Sequence, residues 1–163
     1  MIEVTIDSIR ASLMSEHRLI TLKEVDAERY LPIWIGPYEA DAITIRLRKI
    51  EVARPLTHDL LRNVIVEMGG EVSHITVNDL RNDTFYAHIT VNVNGQQVEI
   101  DSRPSDAIAL AVRAHIPIFV DESVMARTGI TPEDDITEGA DDQELSAFRD
   151  FIDGLDLDDL PLH

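Results

Sequence analysis

The sequence predicts an α+β domain in which a unit of three strands and one helix occurs twice. Shifting the numbering by 65 residues lays 40–43 on 105–108, and it lays the strand-like runs before them on one another. Asn94-Gly95, between two alternating runs, is a strong hairpin signal. The helix expected over 107–114 is apolar nearly all round, which places it at the centre of the core. Such a repeat favours a mixed or antiparallel sheet, or two packed sheets, with the helices on one face.

The first unit is indicated by alternating apolar and polar residues that lead into a helix start. Strands are expected over 2–14, with a bend near Asp7-Ser8, over 18–25 and over 30–35. Pro32 marks the start of the third strand or a sheet edge, because proline cannot donate a hydrogen bond to a neighbouring strand. Gly36-Pro37 then begins a helix that runs to about Ile50.

A further helix separates the two units. Thr57 is expected to cap it, and Gly69-Gly70 ends it. Its apolar residues recur at helical spacing and form one expected buried stripe: Leu60, Leu61, Val64, Ile65 and Met68.

The second unit repeats the order of the first. Strands are expected over 71–78, 84–93 and 96–101, the last of them half-buried through Val98 and Ile100. Pro117 ends the central helix, because proline disfavours helical geometry in the residue before it. A buried strand over 118–120 and a helical turn over 122–127 follow.

Composition excludes several kinds of site. The sequence contains no cysteine, so it has neither a disulfide nor a thiolate metal site. Residues 1–7 are typical of a strand rather than a signal peptide, and no apolar run approaches the roughly 18 residues of a membrane span. We therefore expect a cytoplasmic protein that does not enter a membrane.

The formal net charge of −17 is unevenly distributed. Residues 131–163 contain twelve acidic residues and one basic residue, whereas residues 1–130 contain nineteen acidic and thirteen basic residues. We expect a domain over 1–130 and an acidic tail over 131–163, with a short helix at about 143–153 that docks on the domain or on another subunit. The expected assembly is a homo-oligomer, first of all a dimer. The acidic balance argues against tight, sequence-independent binding of duplex DNA.

Three blocks of sequence carry a resemblance to a known family. They are 31–36 with 39–40 (Leu-Pro-Ile-Trp-Ile-Gly and Glu-Ala), 54–61 (Arg-Pro-Leu-Thr-His-Asp-Leu-Leu) and 101–110 (Asp-Ser-Arg-Pro-Ser-Asp-Ala-Ile-Ala-Leu). In this order, over roughly residues 1–130, they resemble the bifunctional nuclease domain family. The acidic tail is similar to that of bacterial members. The resemblance implies an α+β domain with nuclease activity toward DNA and RNA, but it transfers no catalytic residue to this chain.

All three blocks lie where a strand or loop enters a helix. Helix N-termini offer free N–H groups and the positive end of the helix dipole, which suit a phosphate or carboxylate. If the repeat is a pseudo-twofold, related helix starts border a shared cleft, and we expect the functional site there.

Three aspartates are candidates for catalysis at this cleft. Asp101, at the end of a strand, is the candidate ligand for a divalent cation, together with Asp59 or Asp106. The alternative for each is structural, as a turn cap or as a favourable charge in a first helical turn. Any phosphodiester hydrolysis would then be metal-assisted, with Mg²⁺ or Mn²⁺ activating water and screening the phosphate.

Four other residues complete the candidate site. Arg54 and Arg103 precede prolines at helix starts, where a guanidinium clamps phosphate or forms a structural salt bridge. Ser105 contacts substrate, or its hydroxyl satisfies the backbone of a first helical turn. His58 is a general acid or base, or a buried, hydrogen-bonded histidine.

Two functions follow from these residues. The first is metal-assisted hydrolysis of DNA or RNA, or both, with His58, Asp59, Asp101 and Asp106 as catalytic groups. The alternative is a non-catalytic binding or regulatory module that uses the same cleft for an anionic ligand or a protein partner. The strand aromatics, among them Trp34, are assigned to core packing, so they give no signal for single-strand binding.

Overall fold

In the computed structural model, residues 1–132 are described, and they form a seven-stranded mixed sheet with four helices. The strands are β1 (Ile2–Ala11), β2 (Arg18–Glu24), β3 (Tyr30–Ile35), β4 (Gly70–Arg81), β5 (Thr84–Val93), β6 (Gln96–Ser102) and β7 (Ile118–Val120). The helices are α1 (Pro37–Leu47), α2 (Thr57–Glu67), α3 (Pro104–Ala114) and α4 (Glu122–Thr128). Met1–Ile130 forms one compact unit. The α+β class predicted from the sequence is confirmed.

The duplication is visible in the sheet topology. The strand order is β3-β2-β1-β7-β4-β5-β6, so each repeat forms an antiparallel three-stranded half. β7 joins the halves, antiparallel to β1 and parallel to β4. β1 and β4 therefore run in opposite directions, as a pseudo-twofold axis through the middle of the sheet requires. α1 and α3, the helices that end the two units, pack against each other.

α3 lies at the centre of the core, as its sequence predicts. Every side chain from Ala107 to Leu110 is fully buried. The helix packs against α1 and α2 and against β4 and β5, where Ile75, Val77 and Ile89 belong to the same core. The helices therefore cover one face of the sheet over its middle strands.

The edge strand β6 is more exposed than the sequence predicts. Val98 and Ile100 are 44% and 43% exposed, although the residues opposite them on β5, Val91 and Ile89, are buried. Directly opposite residues of an antiparallel pair lie on the same face. The helix layer therefore ends before it reaches β6, and the expected cover over this strand is missing.

α2 also departs from its prediction. Its preceding residue Leu56 takes the capping position, and the Leu56 backbone N–H donates to Oδ2 of Asp59 at 2.9 Å. Within the apolar stripe, Leu61 and Ile65 pack against the core, whereas the others are exposed: Leu60, Val64 and Met68. The prediction that the whole stripe is buried is wrong, because α3 and β4 cover one side of this helix.

The turns and edges follow local sequence signals. Asn94-Gly95 joins β5 to β6 with φ of 50° and 78°, the positive values of a mirror-image hairpin turn. Asn82-Asp83 makes an equivalent turn between β4 and β5, with φ of 48° and 60°. Pro32 lies on the edge strand β3, as expected.

The last described element is α4, close to the helical turn expected over 122–127. Its N-terminus is capped by Asp121, whose Oδ1 accepts from the Ser123 N–H at 2.9 Å. The short helix expected at about 143–153 lies outside the described residues. Among residues 1–132, no helix is long and apolar enough to cross a membrane.

Candidate functional site

The starts of α1 and α3 meet, as the pseudo-twofold predicts. Their preceding strands, β3 and β6, lie at opposite edges of the sheet. Nevertheless Nη1 of Arg103, just before α3, donates to Oε1 of Glu39 in the first turn of α1 at 2.9 Å. Gly36 leaves room for the Glu39 carboxylate in this position, because a Cβ on residue 36 would overlap that carboxylate. The related helix starts thus border one shared site.

Asp106 is the centre of this site. Its Oδ2 accepts from Nε of Arg103 at 2.8 Å, and its Oδ1 accepts from Nη2 of Arg103 at 3.2 Å. The same Oδ1 lies 2.9 Å from Nε2 of His58, which α2 provides. Partial burial disfavours the charged carboxylate, but the hydrogen bonds from Arg103 and His58 outweigh it, and the pKa of Asp106 is lowered. Asp106 is therefore ionised near neutral pH.

The ionised carboxylate of Asp106 determines which nitrogen of the His58 ring carries a proton. A carboxylate only accepts hydrogen bonds, so Nε2 of His58 must donate and must carry a proton. In the neutral ring Nδ1 then has a free lone pair, and Nδ1 has no hydrogen-bond partner among residues 1–132. The His58 side chain is only 13% exposed. The arrangement is that of an oriented imidazole with one nitrogen available to accept a proton.

The site opens into a cleft between α1 and the start of α2. The cleft has a volume of about 350 Å³. Its lining combines the charged network with less polar residues from both helices. The residues that line it are Tyr38, Glu39, Asp41, Ala42, Ile45, Leu56, Thr57, His58, Arg103 and Asp106. Arg103 remains 63% exposed despite its two carboxylate partners, so a ligand in the cleft can reach its guanidinium.

Asp59 is next to His58 in sequence but takes a different role. Its Oδ2 accepts from the backbone N–H of Leu56, and its Oδ1 accepts from Nε of Arg113 at 2.8 Å. Arg113 is only 2% exposed and also donates to the carbonyl of Ala109. Burial raises the pKa of Asp59, but the bonds from Leu56 and Arg113 outweigh it, so the pKa is lowered overall. The pair connects α2 to α3 inside the fold.

The structure does not bring the remaining predicted site residues into this network. Asp101 is exposed on β6 opposite His88, on the sheet face that points away from the helices. Its side chain has no hydrogen bond or ion pair within the described chain. Arg54 is exposed before α2 and is likewise unpaired among residues 1–132. Ser105 is 5% exposed in the first turn of α3, where it lines a second cavity described below.

A preformed divalent-metal centre does not fit the described residues. Residues 1–132 contain no group of three or more His, Asp or Glu side chains arranged to hold an ion. The two carboxylates of the network, Glu39 and Asp106, both accept hydrogen bonds from the guanidinium of Arg103. Asp101, the expected metal ligand, lies apart from both.

A second cavity, of about 360 Å³, borders the same arginine. Its lining includes the aromatic residues Trp34 and Phe85 and the polar residues Arg103, His17 and Asp83. Trp34 is 60% exposed, so the assignment of this residue to core packing is wrong. Ile33 and Ile35 on the same strand are buried, so Trp34 lies on the opposite face of β3, which accounts for its exposure.

Sequence reasoning missed Glu39, Arg113 and Trp34 as site or supporting residues. Glu39 occupies the third position of α1, as Asp59 and Asp106 do in α2 and α3. This shared acidic position was a usable signal for Glu39. No local signal identifies Arg113 as a buried partner, because its carboxylate lies 54 residues away in sequence.

Comparison with known proteins identifies one family. The family model for the bifunctional nuclease domain matches residues 20–133. This range contains all three sequence blocks described above and all residues of the network around Asp106.

Similar proteins occur in bacteria and plants. An uncharacterized protein of Mycobacterium tuberculosis is 37% identical over 161 residues, 96% of each chain. Bifunctional nuclease 2 of Oryza sativa subsp. japonica is 31% identical over 66% of this chain and 34% of its own. Bifunctional nuclease 2 of Arabidopsis thaliana is 28% identical over 70% of this chain and 36% of its own. The chain therefore spans about a third of the length of these plant relatives.

Proposed function

The chain belongs to the bifunctional nuclease domain family, and from this premise we propose that it hydrolyses phosphodiester bonds of nucleic acid in the cleft between α1 and α2. The observation that carries the proposal is the 2.9 Å contact between Nε2 of His58 and Oδ1 of Asp106, beside the exposed guanidinium of Arg103. The names of the plant relatives support the reaction class. The sequence prediction of DNA, RNA or both as substrate is retained.

His58 is the general base in this proposal. Asp106 keeps the proton on Nε2, so Nδ1 can take a proton from an attacking water or sugar hydroxyl. The protonated ring is then stabilised by the same carboxylate, and it can return the proton to the leaving oxygen. General acid–base catalysis by a positioned side chain contributes about 10²- to 10⁴-fold to a rate.

Arg103 is the phosphate-binding group. The hydrogen bonds that Arg103 donates to Asp106 and Glu39 raise its pKa, so the side chain stays cationic. Asp106 and Glu39 fix the orientation of the Arg103 guanidinium. A phosphate that enters the cleft can contact the exposed part of this group. Ser105 and Arg54 stay predicted substrate contacts, and Asp101 stays a predicted catalytic residue. The same cleavage assay tests the catalytic prediction for Asp59, whose bonds to Leu56 and Arg113 favour its structural alternative.

The expected Mg²⁺ or Mn²⁺ requirement stays a prediction. Mg²⁺ is often held by only one or two carboxylates together with substrate phosphates, so the ion would enter with the nucleic acid rather than occupy a preformed site. A cleavage assay with and without chelator tests this requirement directly. No step of the proton transfer above depends on its result.

The test compares cleavage by the full chain and by His58→Ala. Single-stranded and duplex DNA and RNA are offered as substrates, and the rate of strand cleavage is measured. We expect His58→Ala to lose about 100-fold or more of the rate, the contribution of a general base. His115→Asn is the matched control, because His115 is exposed and has a φ of 55°, which asparagine tolerates. Equal rates for His58→Ala and the parent protein would refute the proposal.

The alternative is a binding or regulatory module without catalysis. The charges of the network favour this alternative, since the single positive charge of Arg103 is paired with two carboxylates, those of Glu39 and Asp106. It is also favoured by the net charge of −17. An anionic ligand or a protein segment would then occupy the cleft unchanged. Binding without turnover in the parent protein, at every metal condition, would select this function.

Two further expectations concern the assembly and its location. A homo-oligomer, first of all a dimer, is supported by the exposed apolar residues of α2 and β6, among them Leu60, Val64 and Ile100. Light scattering on the purified full chain measures the mass of the assembly, and Val64→Glu should lower it if α2 forms the contact. The expected cytoplasmic location is tested by cell fractionation.

A further inference from the structure

Trp34 is the only tryptophan in the sequence, and it is exposed. The neighbouring residues on β3, Ile33 and Ile35, are buried in the core, so the indole points to the other side of the strand. Aromatic side chains bury more apolar surface than most others and contribute strongly to cores and interfaces. An indole that is 60% exposed therefore makes little contribution to core packing.

Trp34 borders the cavity of about 360 Å³ described above. Phe85 adds a second aromatic ring, and Pro104 and Ser105 at the start of α3 add further lining. The polar residues of the lining include Arg103. The cavity thus combines flat apolar surface with hydrogen-bonding groups, which is the chemistry of a heteroaromatic ring.

Arg103 connects this cavity to the cleft that contains His58. It lines both cavities. In a nucleotide the base and the phosphate are joined through one sugar. A strand whose phosphate lies at Arg103 in the cleft can therefore place the adjacent base on the other side of the arginine, beside Trp34.

We propose that the cavity beside Trp34 binds one unpaired base of single-stranded nucleic acid, stacked on the indole, while the adjoining phosphodiester lies in the cleft. This inference rests on the proposed function and names its substrate as single-stranded. A base within a duplex is covered on both faces by its neighbours, so it must leave the stack before it can contact an aromatic side chain.

Charge supports a single strand over a duplex. Duplex binding depends on many lysine and arginine contacts to phosphate, and a chain with a net charge of −17 offers few. Stacking on aromatic side chains provides affinity without cations and tolerates any base, because every base has a π-face.

The edge of the sheet provides hydrogen-bonding groups for the base. β3 is the outermost strand of the sheet formed by residues 1–132, and Ile33, Trp34 and Ile35 all line the cavity. Along an open edge, alternate N–H and C=O groups point away from the sheet. These groups offer both donors and acceptors to the rim of a stacked base.

The experiment uses the fluorescence of Trp34, the only indole in the protein. The His58→Ala full chain is titrated with single-stranded oligothymidylate, because this variant leaves the strand intact. We expect saturable quenching of the indole by the single strand. The same strand annealed to oligoadenylate should cause no quenching at equal concentration.

Affinities are then measured with a labelled strand by fluorescence anisotropy in the same His58→Ala background. Trp34→Ala should weaken binding by about 5- to 100-fold, the effect of losing one base–aromatic stack. Trp34→Phe should retain most of the affinity, which separates a lost stack from a lost fold. Tyr86→Leu is the control, since the Tyr86 ring packs under Arg81 and borders neither cavity.

Three results would overturn the inference: equal affinity for Trp34→Ala and its parent, equal quenching by the duplex, or no binding of the single strand. Its failure is distinguishable from failure of the proposed function. Cleavage that depends on His58 but not on Trp34 refutes only the base site. Binding that depends on Trp34 without cleavage refutes only the hydrolysis.

Discussion

Asp59 and Asp106 occupy the same position in two helices and form the same kind of ion pair, yet their surroundings differ. Each is the third residue of its helix, and each carboxylate accepts from an arginine Nε at 2.8 Å. The arginine of Asp59, Arg113, is 2% exposed, whereas the arginine of Asp106, Arg103, is 63% exposed.

The difference in exposure indicates that the Asp59–Arg113 pair stabilises the fold, whereas the Asp106–Arg103 pair is open to a ligand. Both oxygens of Asp59 are bonded within the fold, to Leu56 and Arg113. Asp106 shares its carboxylate with the imidazole of His58, a residue that lines the cleft and whose Nδ1 has no partner among residues 1–132. An ion pair therefore indicates function only when one of its members leaves a reactive atom open to a ligand.

The largest expected effect is on the buried pair. Arg113→Met should lower the free energy of unfolding by about 2–4 kcal/mol, because it leaves a partly buried carboxylate without its cation. Arg103→Met, the same change at the exposed pair, should cost less than about 1 kcal/mol. Denaturant titration measures both values. Similar losses for the two variants would remove the distinction drawn between the pairs.

The next effect concerns catalysis by the two carboxylates. Asp106→Asn should lower the cleavage rate by about 10- to 100-fold, because the amide no longer holds the His58 ring as an ionised carboxylate does. Asp59→Asn should lower stability with a much smaller change in rate. The assay is strand cleavage at a temperature where both variants are folded. A rate loss confined to Asp59→Asn would reverse the assignment.

A smaller effect is expected on the salt dependence of binding. Arg103→Met should reduce the slope of log affinity against log salt by about 0.7 for a single strand, the contribution of one phosphate contact. Anisotropy titrations over a range of salt concentrations give the slope. Arg81→Met is the control, since Arg81 pairs with Asp79 away from both cavities. An unchanged slope for Arg103→Met would exclude it as a phosphate contact.

The smallest effect is on acid stability. The pKa values of Asp59 and Asp106 are lowered from the ordinary 3.8, so each group binds protons more weakly in the folded state. The stability that these two carboxylates contribute to the fold is complete above their pKa in the unfolded chain. It is lost as the pH falls through their pKa in the folded chain, below about pH 5. Asp106→Asn should flatten the decline of Tm in this range. Thermal unfolding from about pH 6 downward tests this expectation.

The sequence predicts elements well where the signal is local. The hairpin at Asn94-Gly95, the edge strand with Pro32 and the apolar helix α3 each depend on a few neighbouring residues, and each is found. The exposure of Val98 and Leu60 was not predictable in this way. An apolar residue on the correct face is buried only if another element covers it, and that depends on how far the helix layer extends.

The site was partly predictable for the same reason. Helix starts and their charged residues follow from the sequence, so His58, Arg103 and Asp106 were among the candidates. Asp101 was also a candidate, but the alternation along β6 places it on the sheet face away from the helices. Its neighbours in sequence did not predict its neighbours in space.

The amino-acid sequence is enough to specify the repeated unit, the central helix and the set of polar residues at three helix starts, because these depend on residues within a few positions of one another. Which of those residues meet depends on the packing of the helices. His58 and Asp106 are 48 residues apart, and Glu39 and Arg103 are 64 apart. Such pairs form when α1, α2 and α3 pack together, and the packing of whole helices sets distances that no local pattern records.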